Sequence, residues 1–413
     1  MTAQRLDASA GTGAAGAPGS TDPQRQPACW SGIFAMALCV FALIASEFMP
    51  VSLLTPMAAD LGVTEGLAGQ GIAVSGAFAV LASLCIASVA GRMDRKALLL
   101  WLTGAMCLSG AVIALAPNYA TYLVGRALIG VVVGGFWSLS AATAMRLVPA
   151  PQVPRALAIF NGGNALATVV AAPLGSYLGA VIGWRGAFLC LVPVAVVAFA
   201  WQWVSLPPLP AGPRAAGSNS VFRLFKRRVV ALGMLSVGAF FMGQFMLFTY
   251  LRPFLETVTR VDVSTLSLML LGIGVAGVIG TAAIGALLKK SFYPTLAGAP
   301  VVMALVAVAL IAWGTHGTAV AALLGVWGLV ATATPVGWWT WVARTLPQDA
   351  EAGGGLMVAV VQMAIALGST AGGWLFDTSG TQSTFAAAAG MLLVAAVSVG
   401  FTARADRVAA ASV

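Results

Sequence analysis

Twelve times along this chain, a run of about 20 or more mostly apolar residues continues before a polar break interrupts it. A helix needs about 20 such residues to cross roughly 30 Å of hydrocarbon, so this repetition leaves few folds open. The spans fall at about 30–57, 67–90, 97–116, 119–145, 156–182, 187–206, 229–254, 265–288, 293–314, 318–343, 353–376 and 382–402. The expectation is an all-α membrane protein of twelve transmembrane helices. Lipid offers backbone groups no partners, which leaves helices or closed barrels, and runs this long favour helices.

A chain that is 60% hydrophobic and 8% charged is no water-soluble globule. Its formal charge of +9 suggests nucleic acid only until the charges are placed. With the N-terminus in the cytoplasm, seventeen Lys and Arg fall on that side and only Arg185, Arg252 and Arg260 on the other. That asymmetry is a topology signal and predicts both termini cytoplasmic. Nucleic acid is therefore not an expected partner; the lipid bilayer and a small molecule are. The five cysteines have neither disulfide nor metal-ligand spacing, and His316 stands alone, so no metal site is expected. No GxxxxGK[ST] loop, Gly-x-Ser-x-Gly elbow or His-Glu metal run occurs. An integral-membrane enzyme would need catalytic groups clustered near one interface, and none is visible.

Five segments follow: a polar, disordered cytoplasmic tail over 1–28, a six-helix half over 29–206, a cytoplasmic linker over 207–228, a second six-helix half over 229–403, and a cytoplasmic tail over 404–413. The halves resemble each other. PLGSYLGAVIGWRGAF (173–188) lies without a gap over TAGGWLFDTSGTQSTF (370–385), matching Gly183 with Gly380. GGFWSLSAATAMRLVP (134–149) echoes VGWWTWVARTLP (336–347), pairing Trp137 with Trp339. FMPV (48–51) echoes LRPF (251–254), which sets Glu47 opposite Tyr250. Parallel six-span repeats related by an axis along the membrane normal describe a major facilitator fold.

Two charges lie inside spans. Glu47 is about 25 Å along the first span and Arg126 about 10 Å below the far surface in the fourth, so the two come to similar depths and could neutralise each other. A structural ion pair would satisfy both; a carboxyl that takes up and releases a proton is the functional alternative. Arg126, Gly130, Val133, Trp137 and Ala144 share one stripe. If it faces a cavity, Trp137 and Trp339 could be flat plates for an aromatic ligand, although tryptophans near span ends also serve as interface anchors. Asn161, Asn164 and Thr168 lie on one face of the fifth span, with Gln244 and Gln362 in the seventh and eleventh. Amides in lipid either hold helices together or line a polar cavity; as a set they suit an uncharged, hydrogen-bonding ligand.

These residues resemble a known family. Leu123-x-x-Arg126-x-x-x-Gly130 is similar to the fourth-span arginine motif of the major facilitator superfamily. AAPLGSYLG, carrying Pro173, Gly175 and Gly179, resembles its fifth-span antiporter motif, with Ala172 where glycine is usual. GRMDRKALL departs from the family's loop motif between spans two and three: Gly91 occupies the aspartate position. EFMPVSLLTPMAADLG, FTYLRPF and PVGWWTW look like the purine ribonucleoside efflux transporters. The resemblance implies proton-driven export of inosine-, adenosine- or guanosine-like nucleosides by alternating access, from a bacterial inner membrane. It implies no cofactor beyond the coupling protons, and a monomer is expected. Glu47 and Arg126 would then couple the proton, and Trp137, Asn161, Asn164, Gln244, Tyr250, Trp339 and Gln362 would contact substrate. Sugars or amphiphilic drugs are the alternative cargo, and a ligand-sensing homologue is a further possibility.

Overall fold

A computed structural model describes residues 28–90, 93–210, 224–346 and 349–411. Of the sequence-based segments, residues 1–27 of the tail, the linker residues 211–223 and Gly91 of the loop motif lie outside the described residues. Every long element is a helix. The first four are α1 (Trp30–Leu61), α2 (Glu65–Ala90), α3 (Arg95–Ala114) and α4 (Tyr119–Arg146). A continuous run, Val153–Ser205, follows as α5 and α6. After the linker come α7 (Arg228–Phe248), α8 (Val263–Lys290), α9 (Phe292–Trp313) and α10 (Gly317–Thr345). A second long run, Ala350–Ala411, holds α11 and α12.

The two long runs explain how ten apolar helical stretches among the described residues make twelve crossings. Each is more than twice the length that spans hydrocarbon. Gly183 breaks the first at φ 77°, ψ 162°, and Gly380 breaks the second at φ 78°, ψ −178°. Only glycine occupies that backbone region without strain. The two glycines matched by the repeat therefore do the same mechanical work, turning the chain back at the end of the fifth and eleventh crossings. The second run stays helical to Ala411, past residue 404, where the sequence suggested a tail.

Like contacts recur at like places. Within each half the first helix packs along the fifth and the second along the fourth; between halves, α2 meets α11 and α5 meets α8. Adding six to each helix number converts one seam into the other. Small residues allow the approach: a Cβ on Gly76 would press on the Gln362 carbonyl, and one on Gly274 on the backbone of Val169. Gly175 and Gly179 play this part inside the first half, where a Cβ would run into Ser52 and Leu53 of α1.

Candidate functional site between the two halves

We call the end of the bundle at Trp30 the near end and that at Leu61 the far end. At the far end the halves are tied. The Asp377 carboxylate accepts from the Thr64 hydroxyl at 2.6 Å and from the Gly66 N–H at 3.0 Å, and Thr370 donates to Gln70 at 3.1 Å. Tyr250 is fully buried there, stacked on Phe376 with centroids 5.2 Å apart and donating to the Ser369 carbonyl at 2.8 Å. Midway down, Phe48 of α1 stacks on Phe245 of α7 at 5.7 Å.

Glu47 sits next to that stack. It is 4% exposed, and its Oε1 accepts from Nε2 of Gln362 in α11 at 3.1 Å. The bond joins the two halves. Among the described residues, no side-chain hydrogen bond crosses from one half to the other nearer the near end than this one. The amide oxygen of Gln362, Oε1, is buried without a partner, as is Oε1 of Gln244 in α7. An unmet buried acceptor costs about 1–3 kcal/mol, so both suit donors supplied by a ligand or water.

Arg126 is fully buried, but its guanidinium does not meet the Glu47 carboxylate. It donates to three main-chain carbonyls: Gly71 through Nε at 3.0 Å, Ser46 through Nη1 at 2.9 Å and Glu47 through Nη2 at 3.2 Å. The ion pair expected from matching depths is therefore replaced by a backbone clamp. Pro50 supplies the reason. It lies four residues after Ser46 and has no N–H, so the Ser46 carbonyl lacks its helical donor. The sequence held that signal. The same rule finds a residue that sequence reasoning left among the far-side loop charges. Pro56 orphans the Ser52 carbonyl, and Arg252 from the other half donates to it through Nη1 while its Nε holds Glu256 at 2.8 Å.

Towards the near end come the amides and tryptophans singled out in the sequence. Asn161, Asn164 and Thr168 lie on the α5 face that meets α8 at Gly274. Two turns nearer the near end than that contact, Asn161 is exposed, its amide donating only to Leu157 of its own helix at 2.9 Å. Asn164 is half-buried, its carbonyl accepting from Thr168 at 2.8 Å. Trp339 is 47% exposed on the side of α10 away from Gly337, which packs on Leu296 of α9. Trp137, its repeat mate, is half-buried edge-on against Phe160 at 6.1 Å. The Arg126 stripe thus faces neighbouring helices more than open space: Gly130 touches α2, and Val133 and Ala144 are fully buried. Pro173 is half-buried inside α5, in the stretch that packs on α1.

Two like six-helix halves, tied at one end and meeting around a buried carboxyl, are the build of a membrane transporter. The family model described as Major Facilitator Superfamily matches residues 36–354, and the chain belongs to that superfamily. It is a multi-pass inner-membrane transporter and not an enzyme. It is 65% identical over 382 residues to "Transcription regulatory protein OpdE" of Pseudomonas aeruginosa, covering 92% of this chain and 95% of that one. It is 42% identical over 370 residues to "Purine ribonucleoside efflux pump NepI" of Salmonella typhimurium, covering 90% and 93%. Two solved structures share the fold. An inward-facing, unoccupied bacterial homologue of the human lysosomal transporter Spinster aligns with TM-score 0.78 and 16% identity, over 92% of this chain and 98% of that one. A mutant of the nucleoside transporter NupG aligns with TM-score 0.75 and 13% identity, over 90% and 98%.

Proposed function

We propose that this protein exports purine ribonucleosides by alternating access, in exchange for protons moving inward. One observation carries the coupling part of this reading: the only carboxyl buried between the halves among the described residues, Glu47, is held by Gln362 from the opposite half. An ionised Glu47 accepts from the amide N–H. A protonated one can donate instead, to the amide oxygen that now has no partner. Uptake or release of a proton would thus rewrite a bond between the halves, which is what coupling requires. The purine part rests on the 42% identity to the nucleoside pump and on the unpartnered amide oxygens of Gln244 and Gln362. In this reading Trp137 and Trp339 flank the base, and Asn161, Asn164, Gln244 and Gln362 bond base or ribose. Arg126 holds α1 in the shape that presents Glu47. The near end is cytoplasmic, as its excess of basic residues indicates.

Everted vesicles test the proposal. Labelled inosine should accumulate only with a proton gradient, and Glu47→Gln should reduce that accumulation to background while inosine binding stays measurable. Undiminished gradient-driven accumulation in the variant would refute the coupling assignment. Arabinose or a phenicol outcompeting inosine would replace the substrate. The 65% identity to a protein named as a transcription regulator favours one other reading, a sensor that binds ligand without moving it. That reading predicts inosine binding with no net flux in the unaltered protein.

A further inference from the structure

We infer that the groove between the near ends of α9 and α12 binds an anionic phospholipid, its phosphate on Arg404 and Arg407 and the start of an acyl chain along the floor. The groove encloses about 240 Å³. Pro294 and Ala297 of α9 form one wall, and Val399 and Gly400 of α12 form the other. Arg404 and Arg407 stand at its mouth, one helical turn apart and both exposed.

Among the described residues, these guanidiniums have no carboxylate within ion-pair reach. The ion pairs among the described residues are Asp60 with Arg185 and Glu256 with Arg252. Asp406, the acid between the two arginines, is engaged from the α9 side by the Tyr293 hydroxyl at 2.9 Å. Two forked donors one turn apart fit the oxygens of a phosphate. The floor is apolar and open: a Cβ added at Gly400 would meet nothing within 4 Å. Phe401, beside it, is 50% exposed on the outer surface. A cationic mouth above an apolar trough, on a helix end that leaves the membrane, matches the layout of a phospholipid rather than a soluble anion. A soluble phosphate would gain nothing from Ala297 or Val399. A zwitterionic lipid would bring its own cation against Arg404 and Arg407.

Native mass spectrometry of the full-length, delipidated protein tests this. Dioleoyl phosphatidylglycerol and dioleoyl phosphatidylcholine are titrated separately, and the adduct surviving collisional activation is measured. Phosphatidylglycerol should be retained at a concentration at least ten-fold lower than phosphatidylcholine. The double variant Arg404→Gln, Arg407→Gln should erase that preference. Gly400→Leu, which keeps every charge and fills the trough, should weaken phosphatidylglycerol retention by a similar factor. Equal retention of the two lipids, or an unchanged preference in either variant, would overturn the proposal. So would full displacement of the lipid by equimolar glycerophosphoglycerol, since the site would then read a phosphate and no chain. The readout does not involve nucleoside transport, so the proposed cargo can fail without touching it.

Discussion

Helix α1 contains two prolines six residues apart, and the molecule treats them differently. Pro50 frees the Ser46 carbonyl and Pro56 frees the Ser52 carbonyl, because neither ring has an N–H to donate. Each carbonyl is met by a buried guanidinium: Arg126 for the first, Arg252 for the second. Arg126 comes from α4, in the same half as α1. Arg252 comes from the segment after α7, in the other half. The first bond survives any rigid rotation of the halves. In the proposed alternating-access cycle, the second would exist only while the far end is closed. One chemical problem, a proline-orphaned carbonyl, is therefore solved once as permanent architecture and once as a latch. The lesson is that a buried arginine in a transporter need not serve a carboxylate, and what it means depends on which half supplies it.

The largest effect should come from removing the permanent clamp. Arg126→Ala leaves the Ser46 carbonyl without a donor and opens a void beside α1 and α2, at a cost of about 2–4 kcal/mol. A fall in the melting temperature of the detergent-purified protein is the expected outcome. Pro50→Ala in that background returns an N–H to Ser46 and should recover about 1 kcal/mol. No recovery would break the orphan-carbonyl account and leave Arg126 as a space filler.

Much of this arrangement could be read from the sequence. Apolar run length gave the crossings, and the 173–188 to 370–385 match paired Gly183 with Gly380, which proved to share one glycine-only backbone conformation. Glu47 was placed deep in its span and is buried between the halves. The partner was not legible. Matching depth put Arg126 opposite the carboxylate, but depth along an axis says nothing about azimuth, and a guanidinium with five donors satisfies backbone as readily as side chain. Arg252 was misplaced for a related reason. Counting apolar residues put it at a span end, where charge normally meets water, yet it is 5% exposed because Ser52 needs its donor. The useful signal in both cases was a proline four residues after the carbonyl. That Trp137 would lean on Phe160 depended on packing that no single span reveals.

The latch predicts a smaller and different effect. Arg252→Gln removes the bond to Ser52 at the far end, worth about 1 kcal/mol or a factor of about five in a two-state population. Stability should change little, while the far end opens more often. Spin labels replacing Leu67 and Trp374 would report a longer-distance population rising by about that factor. In a Pro56→Ala background Ser52 has its own helical donor, and Arg252→Gln should add almost nothing. Additive effects in the double variant would mean that Arg252 acts elsewhere.

The smallest effect distinguishes carbonyl capping from ion pairing. Arg252 makes two bonds at once, Nη1 to the Ser52 carbonyl across the halves and Nε to Glu256 on its own segment. If the ion pair is what matters, neutralising Glu256 should open the far end as much as removing the arginine does. If Glu256 only aims the guanidinium, Glu256→Gln keeps an acceptor oxygen in place and the aim survives. The pair is partly hydrated, with the Glu256 side chain 23% exposed, so its electrostatic worth is discounted to about 0.5 kcal/mol or less. The same spin-label distances should therefore barely move in Glu256→Gln, under conditions where Arg252→Gln shifts them clearly. An equal shift in both variants would relocate the latch from the Ser52 carbonyl to the carboxylate, and the parallel with Arg126 would end there.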